Sequence, residues 1–122
     1  MEVVTFEIAK KLKEKGFREK VNAYYGKHEN IFDVHPALDM NDADYRASAP
    51  TISQVLKWLR EEKKLHIEIY MYHNCYLWEI YNTEIYDADF TQKSEKYSEI
   101  EYTTYELAAL AGIEYVIDNN LI

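Results

Sequence analysis

Four groups of side chains in this sequence have types and spacings that could do chemistry. His66, Glu68 and Glu79 come together if the stretch Leu65 to Tyr81, LHIEIYMYHNCYLWEIY, folds back on itself, and two carboxylates with an imidazole could hold a cation. Cys75 stands two residues after His73, a thiol beside a base. Asp39, Asn41, Asp42 and Asp44 crowd the segment LDMNDADY with oxygen ligands, as a calcium loop does. Lys10, Lys11, Lys13, Lys15, Arg18 and Lys20 could meet phosphate groups.

Each group also has a plainer reading, and the plainer one is favoured. Hard cations usually gather more ligands than two carboxylates and one imidazole, so the expectation is that the glutamates splay into water or that the register is wrong. Adjacent turn and strand positions project in fixed directions, and a lone cysteine is usually inert filler. The acidic segment lacks the glycine and the bidentate glutamate of an EF-hand, which leaves turn chemistry. The lysines suit the solvated face of a helix. His28 and His35 fall in a long connection where histidines are mostly surface residues. There is no glycine-rich phosphate loop, no Cys/His metal spacing and no nucleophile elbow. The reading therefore leans away from an enzyme, with no catalytic, cofactor or metal residues assigned.

The strand pair that would position the first two groups is the clearest element. A turn at His73-Asn74 sets Met71 opposite Tyr76, Ile69 opposite Trp78 and Ile67 opposite Ile80, six apolar or aromatic side chains. Because strand side chains alternate, Leu65, Ile67, Ile69, Met71, Tyr76, Trp78 and Ile80 share one face, suited to packing on helices. The opposite face carries His66, Glu68, Tyr70, Tyr72, Cys75, Leu77, Glu79 and Tyr81. This register puts Glu68 across from Glu79, a like-charge pair that disfavours it by some tenths of a kcal/mol. Tyr70, Tyr72, Leu77 and Tyr81 form the candidate interaction surface, since tyrosine brings contact area and a polar tip at low entropic cost. The competing reading, that the chain after Tyr81 covers them, is slightly preferred.

The remaining segments suggest how the hairpin is supported. Thr5 opens a helix with Phe6, Ile8, Ala9 and Leu12 on its apolar side, closed by Gly16 with Leu12 near Phe17. Val21 to Tyr25 reads as a short strand stopped at Gly26, and residues 27 to 49 as a loop without sustained period. Thr51 and Gln54 form a capping box for a second helix with the stripe Ile52, Val55, Leu56 and Leu59, and Trp58 at its edge. Weak strand signals lie at Glu84 to Phe90 and Tyr97 to Tyr102 around a polar Thr91 to Lys96 turn. Thr103 with Glu106 caps a last helix, onto whose Leu107 Tyr102 can staple and whose packing face is Leu107, Leu110, Ala111, Ile113, Ile117 and Leu121. Gly112 inside that helix costs on the order of 1 kcal/mol and implies a close neighbour, the sheet. The expectation is a single α+β domain over 1–122. It has an antiparallel, hairpin-centred sheet of three to four strands on about three helices, in the order α-β-α-β-β-(β)-α.

The formal net charge is −8, unevenly spread. Residues 1–64 hold 12 Lys+Arg against 11 Asp+Glu, residues 65–122 hold 2 against 11. Such a surface repels a phosphate backbone, so nucleic acid is disfavoured as a partner except at the first helix. The single cysteine forms no internal bridge, MEVVTFEIAKKL lacks the features of a signal peptide, and no stretch approaches the roughly 18 apolar residues of a membrane span. A cytoplasmic protein away from the membrane is expected.

The segments TFEIAKKLKEKGF, SAPTISQVLKWLREEKKLHIEI and YTTYELAALAGIEYVIDNNLI, about half the chain, resemble a family of small uncharacterised proteins of gut-anaerobe genomes, often linked to phage or other mobile elements. That family has no assigned activity, so the resemblance carries over no functional residue. It implies an accessory or regulatory role in a mobile element or its host. The leading expectation is a non-enzymatic protein-interaction module that binds an unknown protein partner or a second copy of itself. The alternative is a small-ligand-binding protein or enzyme with a pocket near the 27–49 loop, rimmed by His28, His35 or the Asp39 to Asp44 cluster.

Overall fold

The computed structural model describes residues 2–86 and 92–122, and the side chains of these except 85, 86 and 92–97. The fold is α+β with antiparallel sheets and three helices, and it divides into two compact units, Met1–Thr51 and Ile52–Ile122.

In the first unit, helix α1 (Phe6–Glu14) starts where the Thr5 side chain accepts a hydrogen bond from the Ile8 amide at 3.3 Å. It buries Ile8, Ala9 and Leu12. It ends in a Schellman turn: Phe17 N–H donates to the Leu12 carbonyl at 3.0 Å and Gly16 N–H to that of Lys13 at 3.1 Å. Gly16 has φ 87°, a conformation that glycine reaches without a Cβ penalty. Leu12 and Phe17 are both buried, as the Schellman spacing implies.

Strand β1 (Val21–Tyr25) is central in a sheet of order β2-β1-β3, with β2 (Ile31–Leu38) and β3 (Ala47–Ser48). The expected 27–49 loop therefore contains two strands. β2 escapes the sequence pattern because it is an edge strand that buries no residue and so has no inward set to alternate; Pro36 is tolerated on such an edge. It is anchored by Tyr24 stacked on its cross-strand partner Phe32 at 5.4 Å.

In the second unit, α2 (Ile52–Glu62) buries Ile52, Val55, Trp58 and Leu59. Trp58, expected at the core edge, is in the core, and Leu56 is only half-buried. Strands β4 (Leu65–Tyr72), β5 (Cys75–Tyr86) and β6 (Gln92–Tyr97) form the second sheet in that order. The β4–β5 pairing has the register expected throughout, including Ile67↔Ile80, Ile69↔Trp78, Met71↔Tyr76 and Glu68↔Glu79. His73 and Asn74 have φ 50° and 65°, the two left-handed residues that a type I′ hairpin turn requires. The polar turn expected at Thr91 to Lys96 is corrected: Gln92 to Lys96 lie in β6, paired to β5. The Glu84 to Phe90 strand holds as far as Tyr86, and the rest of it lies outside the described residues. The expected Tyr97 to Tyr102 strand reduces to the end of β6 and a single bridge from Tyr102 to Tyr76.

Helix α3 (Tyr105–Asp118) is capped one residue later than expected, by Thr104, whose hydroxyl accepts from the Leu107 amide at 3.1 Å. Its buried face is also rotated from the expected one. Ala108, Ala109, Gly112, Ile113, Val116 and Ile117 are buried, whereas Leu107 and Leu121 are exposed. The reason is distance. A Cβ on Gly112 would lie 3.0 Å from Ile67 Cγ2 and 3.3 Å from Trp78 Cγ, so the small residues are what allow α3 to settle on the sheet.

This contact generates a prediction. Alanine at 112 gains about 1 kcal/mol of helix propensity but overpacks a site bounded by two buried side chains, a cost of about 1–3 kcal/mol. Gly112→Ala is expected to destabilise the fold by about 1 kcal/mol, read as a lower urea midpoint at unchanged slope. An equal or higher midpoint would contradict the close approach.

Candidate functional site

With Leu65, Ile67, Trp78 and Ile80 buried, the alternate positions of β4 and β5 make up the other face of the sheet. Tyr70, Leu77 and Tyr81 are half-buried there and Tyr72 is 52% exposed. α3 packs on β4 and β5 through the Ile67–Trp78 side, and α2 packs on both β4 and α3. α3 thus lies on the side away from the tyrosine face, where Tyr70, Leu77 and Tyr81 are nonetheless partly covered.

The like-charge pair on this face is resolved by separate partners. Glu68 takes His66, Nε2 to Oε2 at 2.7 Å. Glu79 accepts the Tyr81 hydroxyl at 2.5 Å, and Tyr70 also bonds to it. The hydrogen bond to Glu79, together with burial, pushes the Tyr81 phenol up to about 12. Tyr70 is raised as well, by burial first and then by Glu79. Both phenols stay neutral donors at physiological pH, so Glu79 is held between two hydroxyls rather than facing Glu68 bare. Among the described residues no group of three or more His, Cys, Asp or Glu side chains is arranged to hold a metal ion.

Cys75 is not an activated thiol. Burial, and then its hydrogen bond to Glu101, push its pKa up, which lowers the thiolate fraction that a nucleophile needs. The His73 ring packs edge-on against Tyr72 at 4.2 Å.

At the hairpin tip sequence reasoning named Tyr72 and missed Met71. Met71, assigned to the packing face, is 61% exposed although it has that face's parity. Its partner Tyr76 meets Tyr105, at the start of α3, edge-on at 6.4 Å, and Tyr105 is itself exposed. The tip thus shows large apolar side chains on both faces, Met71 on one and Tyr72 on the other. The parity of Met71 gives no sign of this, because its exposure depends on how far along β4 the helix reaches.

In the first unit the Asp39 to Asp44 cluster does not converge on a ligand. Asp39 pairs with Arg18 at 2.6 Å and accepts from the Asn41 amide at 2.9 Å; Asp42 pairs with Arg46. Asn41 is buried, donating to the Phe17 carbonyl and accepting from the Ser48 amide, both at 2.8 Å. These are turn-fixing bonds, as expected. His28 is exposed, and His35 lies on β2 with Nδ1 3.4 Å from the Asn22 amide nitrogen. A cavity of about 510 Å³ does lie beside the 27–49 segment, but its rim is Lys27 and Asp44 to Ala47 facing α1, with neither histidine.

Compared with protein families, curated proteins and solved structures, the chain matches none.

The Tyr81–Glu79 bond has a pH signature. A phenol raised from 10 to about 12 contributes stability that is complete below pH 10 and lost as pH rises through 12. An alkaline titration followed by phenolate absorbance is expected to show one late phase near pH 12 that Tyr81→Phe removes. If every phenol titrates near pH 10, the bond is wrong.

Proposed function

We propose that this protein is a non-enzymatic interaction module that binds a basic protein partner through the tip and tyrosine face of the β4–β5 hairpin. The observation that carries the reading is the exposed pair Met71 and Tyr72, 61% and 52% accessible, at the turn end of β4. Large exposed apolar side chains gathered in one place are the usual mark of a contact surface.

Charge chooses the partner. Residues 65–122 carry 2 Lys+Arg against 11 Asp+Glu, and Glu68 is exposed on the same face. A Lys- or Arg-bearing surface is steered toward such a face, whereas a second copy of it is repelled. The raised Cys75 thiol and the dispersed histidines support a non-catalytic role. Among the described residues no helix is long and apolar enough to cross a membrane. Cytoplasmic residence belongs to the same reading and is supported by a single cysteine that needs no oxidising compartment. The resemblance noted above supports a setting in a mobile element or its host, where such a module would be accessory or regulatory.

The test is affinity capture from host lysate with the wild type, with Met71→Ser/Tyr72→Ser and with Glu68→Lys. The expected outcome is a stoichiometric basic protein that both variants lose and that salt weakens. Equal recovery by all three baits would move the contact off the hairpin. A dimer in sedimentation that the double variant dissolves would replace the basic partner with a second copy.

A further inference from the structure

The first unit holds a cavity with a chemistry of its own. Its volume of about 510 Å³ falls within the range of small-molecule sites. One wall is a single stripe of α1, with Phe6, Lys10 and Lys13 at the spacing that shares a helical face. The facing wall is Tyr45 and Arg46, and Lys27 lies at the turn that follows β1. Four cationic side chains thus line it against two carboxylates, Glu14 and Asp44, in a chain whose formal net charge is −8.

Two of the cations are fixed in place. Lys13 Nζ donates to the carbonyls of Ala43 at 2.5 Å and Arg46 at 2.7 Å, which ties the segment before β3 to the helix. An ammonium has three donors, so one remains beyond these two. The Arg46 guanidinium pairs with Asp42 and lies 5.4 Å from the Tyr45 ring centre. Its Nε is buried out of reach of a molecule in the cavity, while the side chain as a whole is 21% exposed. An oxyanion is the acceptor that suits a guanidinium. Lys10 and Lys27 are exposed, Lys10 with its Nζ 3.4 Å from Glu7 Oε2 and 4.7 Å from the Phe6 ring centre. Phe6 and the exposed Tyr45 supply apolar wall beside these charges.

We infer that this cavity binds a small phosphate-bearing ligand. Lys10, Lys27 and Arg46 receive the phosphate oxygens, and Tyr45 and Phe6 border the rest of the molecule. The site is independent of the hairpin surface, and neither reading depends on the other.

The test is a nuclear magnetic resonance titration of the full chain with inorganic phosphate, with adenosine 5′-monophosphate and with adenosine. Phosphate and the nucleotide are expected to shift the amides of Gly26, Lys27, Tyr45 and Arg46, and adenosine to leave them unmoved. Lys27→Glu and Lys10→Gln, both at accessible positions, are expected to weaken nucleotide binding by about tenfold each. Lys57→Glu, on the exposed side of α2, makes the same change in net charge as Lys27→Glu and is expected to bind as the wild type does. No shift with either phosphate probe, equal shifts with adenosine, or equal weakening by Lys57→Glu would each overturn the inference.

Discussion

Alternation along β4 and β5 is the constraint from which the second unit follows. A slip of one residue would exchange the two faces and put Glu68, Tyr70 and Glu79 under α3. Two features prevent it. The His73-Asn74 turn adopts the two left-handed conformations whose twist matches the strands, so the pairing begins at Tyr72↔Cys75. At the other face, Gly112 lets α3 settle on Ile67 and Trp78, which only this register presents together. Once the faces are set, Tyr70, Tyr72, Tyr81, Glu68, Glu79 and Cys75 fall on the side away from α3.

That side is then organised by hydrogen bonds that make a like-charge pair tolerable. Glu68 and Glu79 are direct cross-strand neighbours, an arrangement that usually weakens a ladder. His66 takes one, and two phenols whose ionisation is suppressed take the other. Charge is thereby kept on a partly accessible face.

The legible parts of the fold were those governed by local rules. The Schellman ending at Gly16, the β1 strand and the whole β4–β5 register follow from spacing alone, because each depends on residues close in sequence. β2 was not legible, since a strand that buries nothing leaves no periodic trace. The face of α3 was misread because its sequence is apolar nearly all round, so size decided: Ala108, Ala109 and Gly112 could approach the sheet and Leu107 could not. Of the candidate surface, Tyr70, Tyr72, Leu77 and Tyr81 do share one face, while Met71 and Tyr105 join the tip only through the point at which α3 leaves the sheet. The cavity in the first unit joins α1 to residues 44–47, a separation in sequence that no motif spans.

Oxidative footprinting read by mass spectrometry tests the central claim most directly, because it reports the two faces of the hairpin in one experiment. The account predicts rapid modification of Met71 and Tyr72 and protection of Trp78, which is 5% exposed. Trp78 modified as fast as Tyr72, or Met71 protected, would mean that the register or the position of α3 is wrong, and with it the surface on which the functional reading rests.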